Sequence, residues 1–140
     1  MSAASDYLEG EIIKHIFRTG SFTKPTVLAV ALCTAATADS QTGATIVEVP
    51  NSNSYARVTA NPLDATWSAP GVGGLTDNVG AIVFPAATGS WGTVTHFAIC
   101  DSATWGAGNM LIHGALTASK VVGNGDTVQF AAGALDITVA

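Results

Sequence analysis

The sequence predicts an all-β domain, a jelly-roll or related two-sheet antiparallel sandwich with a short N-terminal helix, and three observations carry that prediction. About eight to ten short runs rich in β-branched and aromatic residues follow one another at turn spacing. Helical periodicity is confined to residues 6–18. Residues 84–116 (FPAATGSWGTVTHFAICDSATWGAGNMLIHGAL) set two apolar arms around a small polar turn. Trp91, Val94 and Phe97 to Cys100 favour extended chain in the first arm, Met110 to Ile112 in the second, and Asp101, Ser102, Gly106, Gly108 and Asn109 supply turn chemistry between them.

Taken in order, Leu8, Ile12, Ile13, Ile16 and Phe17 recur at helical spacing, with Asp6 as a cap, Glu9 three residues later and Gly20 as a stop. Acids lie near the start of this helix, and Lys14, His15 and Arg18 near its end, as the helix dipole prefers. Its expected role is to plug one end of the β-domain with Leu8, Ile12, Ile16 and Phe17; the competing role is a docking helix for a partner. Residues 26–33 (TVLAVALC) form an apolar run of strand length, long enough to be buried on both sides, although periodicity alone does not separate it from a helix. Residues 45–49 and 55–60 are expected to pair as a second hairpin about Asn51 to Asn53, with Tyr55, Arg57 and Thr59 on one face. Residues 61–80 hold Pro62, Pro70, Gly71, Gly73, Gly74 and Asn78 and are expected to be mostly loop, with a short strand near 66–68. Further strands are expected at 80–84, 127–131 and 135–139, the last two parted by Ala132 and Gly133. Neither a repeat nor a linker divides the chain, so residues 1–140 are expected to form a single β-sandwich domain.

A chain of 140 residues can bury about two thirds of its unfolded surface, enough for a core without staples. Cys33 and Cys100 sit in apolar runs and are expected as buried free thiols, a strand-to-strand disulfide being the alternative. Charged residues are only 11% of the chain, against about a quarter in an ordinary domain. Either other protein covers much of the surface or small polar residues solvate it. The basic residues Lys14, Arg18, Lys24, Arg57 and Lys120 are scattered, which argues against nucleic acid. No apolar run approaches the ~20 residues that span a bilayer, and no secretory leader is evident, so folding in a reducing cytoplasm and no membrane partner are expected.

Candidate chemistry is sparse. His15, His96 and His113 lack metal-ligand spacing, although His96 and His113 fall in opposite hairpin arms with Asp101 not far off. Asp101 and Ser102 with either histidine could be drawn as a hydrolytic triad, but no G-x-S-x-G elbow is present and both are ordinary turn formers. Residues 70–74 (PGVGG) lack the lysine and strand–loop–helix context of a phosphate cradle. Trp67, Trp91 and Trp105 have no basic companions and are expected as core, turn cover or subunit contact. No catalytic, cofactor-binding or metal-binding residue is therefore assigned.

Five stretches together, SDYLEGEIIKHIF, SYAR (54–57), FPAATGSWGTVTHFAICD (84–101), GNMLIHGAL (108–116) and NGDTVQFAAGALDITV (124–139), resemble a family of small tailed-bacteriophage virion proteins. Members are often labelled tail-fibre-like, while β-rich proteins of similar size act as capsid cement. The resemblance implies a structural virion protein without catalytic residues or cofactors, expected on the capsid surface as a cement or decoration protein. Its implied partners are the major capsid protein and further copies of itself, as a homodimer or other homo-oligomer. A tail-fibre or baseplate component is the alternative.

Overall fold

The computed structural model describes residues 2–139; Met1 and Ala140 of the expected 1–140 domain lie outside the described residues. The elements in chain order are β1 (Ser2–Ala4), α1 (Asp6–Phe17), β2 (Ala29–Cys33), β3 (Val58–Thr59), β4 (Leu75–Thr76), β5 (Ile82–Val83), β6 (Gly92–Cys100), β7 (Met110–Val122), β8 (Gln129–Phe130) and β9 (Ile137–Thr138). One five-stranded antiparallel sheet, ordered β1-β7-β6-β2-β3, faces two small pairs, β4-β9 and β5-β8. The architecture is an all-β sandwich, as the sequence predicts.

The apolar run of β2 is buried throughout because it lies inside the large sheet with both faces covered. Its side chains alternate. Val30 and Leu32, with Phe97, Ile99 and Ile112, join Ile82, Phe84, Val128, Leu135 and Ile137 in the main core between the layers. Ala31 and Cys33, with Ala98, Cys100 and Met110, form a second cluster on the opposite face, covered by Ile46. Small residues there let the segment after β2 cross close to the sheet. Gly43 marks that approach: a Cβ on it would stand 2.1 Å from the Ala107 carbonyl oxygen.

The predicted long hairpin forms as β6 and β7, paired from Gly92↔Val122 to Cys100↔Met110 with two register shifts. The predicted hairpin of residues 45–49 and 55–60 does not form. Its arms lie end to end along the same edge of β2: Val47 and Val49 bond to Thr34 and Leu32, Glu48 bridges Cys33, and β3 pairs with Ala29 and Val30. Asn53 and Ser54, at φ of 51° and 64°, redirect the chain between the arms, so the simple face alternation fails and Thr59 ends exposed while Tyr55 and Arg57 are buried.

The expected strands 127–131 and 135–139 shrink to β8 and β9, which pair with β5 and β4 and not with each other. Buried Asn78 arranges this divergence, donating to the carbonyls of Gly80 and Ala131 and accepting from the Leu135 N–H. The strand expected at 66–68 is reduced to one bridge, Trp67↔Asn78.

Helix α1 starts at Asp6 as expected, but its cap lies one residue earlier than the sequence suggests. Ser5, not Asp6, is the N-cap, accepting from the Leu8 N–H at 3.3 Å, while its hydroxyl donates to the Met110 carbonyl. The expected plug is not seen. Leu8 and Ile12 are half-buried, but Ile13, Ile16 and Phe17 are exposed by 53%, 63% and 78%. The reason is anchorage at one end: the Ser5 N–H bonds to Leu111 and the Asp6 N–H to Asp39, and only the first half of the helix rests on the sheet. Leu32→Ala is expected to lower unfolding free energy by about 2–5 kcal/mol in urea titration, whereas Ile16→Ala should change it by less than about 0.5 kcal/mol.

Candidate interaction surface

The residues that sequence analysis weighed for chemistry are all placed by internal contacts. Register puts His113 opposite Ala98 and His96 opposite Ala115, so the two histidines share a face but stand diagonally, not facing. Asp101 is not with them. Its carboxylate accepts from the Asn109 backbone N–H at 2.7 Å and from Nδ2 at 2.9 Å, closing the β6–β7 turn. Ser102 offers its carbonyl to Arg57 and its hydroxyl to the Thr104 N–H. The imagined triad and zinc set are therefore not assembled, and no group of three or more His, Cys, Asp or Glu side chains suited to a metal occurs among the described residues.

His113 instead forms a clip that the sequence did not reveal. Its Nε2 lies 2.8 Å from Asp39 Oδ1 and its Nδ1 2.8 Å from Thr37 Oγ1, tying the segment after β2 to β7. A carboxylate only accepts, so Nε2 carries a proton and donates it to Asp39. Hydroxyl, imidazole and carboxylate stand in the order of a catalytic triad, but burial is reversed. A triad buries its acid and presents its nucleophile, whereas the Asp39 side chain is 58% exposed and Thr37 is half-buried. Beside the clip, burial and then the nearness of His113 lower the pKa of His96.

The strongest electrostatic feature is buried. Arg57 Nε and one terminal nitrogen grip Glu48 at 2.9 and 2.8 Å, and the remaining donors reach the carbonyls of Gly43, Ser102 and Ala107 at 2.8 to 2.9 Å. All five guanidinium N–H groups are thus used. Burial opposes the charge, but the hydrogen bond and charge of Glu48 prevail and raise the Arg57 pKa above its ordinary value. The Tyr55 hydroxyl donates to Glu48 at 2.7 Å and accepts from the Leu32 N–H at 3.0 Å. It fills the place on the β2 edge where neither strand arm reaches. Burial, then the Glu48 charge, pushes its pKa up.

The thiols are free and buried, with burial raising Cys33 to about 12 and Cys100 to about 11, so neither offers a thiolate nucleophile near neutral pH. Trp91 is buried edge-on to Tyr55 at 5.2 Å, Trp67 donates to Ala60, and Trp105 covers the turn by donating to Val49. Trp105 stays 43% exposed, while Trp91 is buried and Trp67 half-buried. The 70–74 stretch is a turn leading into β4, where the Gly71 N–H bonds to Leu75.

What remains available is surface: the apolar face of α1 at Ile13, Ile16 and Phe17, flanked by Lys14, His15 and Arg18, and exposed apolar residues of the 63–83 region. A family model described as podophage GP4 fiber I protein gp80 matches residues 3–138. The chain belongs to this family. It is a structural protein of a bacteriophage virion, as the resemblance implied; the family description names a fibre and does not specify the capsid. No curated protein matches the chain.

Two outcomes follow from Arg57 and His96. Arg57→Ala should cost about 3–5 kcal/mol in denaturant unfolding, because it leaves Glu48 charged and unpaired in the interior, and Arg57→Ala combined with Glu48→Leu should recover part of that loss. His96 binds its proton more weakly folded than unfolded, so its contribution to stability is constant above its unfolded pKa of about 6.5 and declines as pH falls below it. Thermal melts of His96→Gln should show a shallower loss than the parent as pH falls below about 6.5.

Proposed function

We propose that the protein is a structural component of the phage fibre or tail apparatus and works through protein contacts, without catalysis. The observation that carries this reading is the extent of the family match, residues 3–138, which leaves almost no part of the chain outside the fibre-protein family. The side chains support it: the imidazole of His113, the carboxylates of Asp101 and Glu48 and the guanidinium of Arg57 all serve internal hydrogen bonds. Such a subunit contributes shape and contact surface, and repeated weak contacts within a virion gain strength from high effective concentration. Its partners are neighbouring fibre or tail proteins and other copies of itself.

The capsid-cement reading, with the major capsid protein as partner, is the rival outcome. Antibody against the chain, coupled to gold and applied to intact virions, is expected to label the tail or its fibres. Label spread over the head, together with stoichiometric binding of the purified protein to empty expanded capsids, overturns the fibre reading in favour of cement.

A further inference from the structure

Charge is divided unevenly along this chain. Three of its five Lys and Arg residues, Lys14, Arg18 and Lys24, fall in residues 12–24, which hold no acid. Seven of its ten acids lie at Asp39 or beyond, against Arg57 and Lys120 as the bases there. Arg57 is closed off inside the fold by Glu48, which leaves Lys120 as the exposed base to set against the exposed acids in that part of the chain.

The basic segment is also the apolar projection of the molecule. It comprises the outer half of α1, with Ile13, Ile16 and Phe17 in solvent, and the chain that returns to the sheet. That return is fixed by the Phe22 N–H, which donates to His15 Nδ1 at 3.2 Å, so the projection has a defined shape. Lys14 is partly offset by Glu11 at 2.8 Å; Arg18 and Lys24 form no ion pair among the described residues.

A segment of opposite character lies on the body. Between Arg57 and His96 the chain has no basic residue. There Leu63, Val72, Leu75, Val79 and Val83 are exposed, alongside exposed Asp64 and half-buried Asp77. Within one protomer the two surfaces already meet at their margin, where Lys24 shares a cleft with Leu63, Asp64 and Trp67.

We infer that the basic apolar projection of one copy docks on the acidic apolar 63–83 surface of a second copy. The contact joins apolar to apolar and positive to negative, which sets both attraction and orientation. Because the two surfaces are different patches, the contact is heterologous: every copy carries one projection and one receiving surface, and association continues into a ring or an open chain. This inference holds wherever in the virion the protein sits.

Sedimentation velocity of the full chain, across protein concentration and at low and high salt, tests it. Concentration-dependent association that weakens with salt is expected, and Phe17→Glu, Arg18→Glu and Asp64→Lys should each weaken it by about tenfold or more. These side chains are exposed, and circular dichroism should show the fold unchanged. An equal mixture of the Arg18→Glu and Asp64→Lys proteins should associate again, since it supplies intact contacts and the reversed pair Glu with Lys. A protein monomeric at every concentration overturns the inference, as does association indifferent to Phe17→Glu and Arg18→Glu, or failure of the mixture to recover. A monomer that instead sediments with anionic phosphatidylglycerol vesicles overturns it in favour of a lipid surface.

Discussion

The bidentate pair of Arg57 and Glu48 is the constraint on which the rest of the structure depends. Removing two charges from water costs several kcal/mol per ion, and only near-complete hydrogen bonding repays that. Here the repayment comes from distant parts of the chain: Gly43 from the segment crossing the small-residue face, Ser102 and Ala107 from the β6–β7 turn, and Tyr55 from the excursion beside β2. An alternative path for any of these segments strands a buried charge. The pair therefore selects one arrangement among several that the hydrophobic pattern alone would allow.

The chemistry of the two faces of the large sheet explains why such a device sits where it does. Toward β4-β9 and β5-β8 the sheet presents Val30, Leu32, Phe97 and Ile99, and apolar area alone drives that packing. Toward the crossing segment it presents Ala31, Cys33, Ala98 and Cys100, which bury little area each. That face is held largely by directional bonds: Gly43 N–H to Gly108, the His113 clip to Thr37 and Asp39, and the Arg57 fan. The tight approach that makes these bonds reachable is the same one that excludes a Cβ at Gly43.

What was legible in the sequence was local. The apolar run of β2, the Asp101 to Asn109 turn, the existence of the helix and the buried thiols each follow from neighbours within a few residues, and each is found. Pairing beyond the β6–β7 hairpin was not legible, because residues 45–49 and 55–60 satisfy a hairpin pattern equally well and only the ion pair and the φ values of Asn53 and Ser54 exclude it. Arg57 looked like one more scattered base, since a single arginine in a strand-like run carries no sign of a carboxylate nine residues earlier. Asn78 looked like a loop former for the same reason, although its buried amide decides where β8 and β9 part. The Asp39–His113 clip joins residues 74 apart, a separation beyond any spacing rule.

The helix presents the opposite problem, a pattern that was legible and an outcome that differed. Amphipathic spacing says that an apolar face seeks cover, and it does not say whose. A helix of 12 residues is marginal by itself in water, so this one relies on its Ser5 cap and on Leu8 and Ile12 against the sheet. The outer half lacks that support, and covering Ile13, Ile16 and Phe17 would be worth about 2 kcal/mol per side chain. The fold does not collect that free energy internally, because the bonds of Ser5 and Asp6 fix the helix to the rim with its outer face turned to solvent. A stabilisation of that size, left available on an otherwise well-packed subunit, favours any assembly in which the face is covered over the isolated protomer.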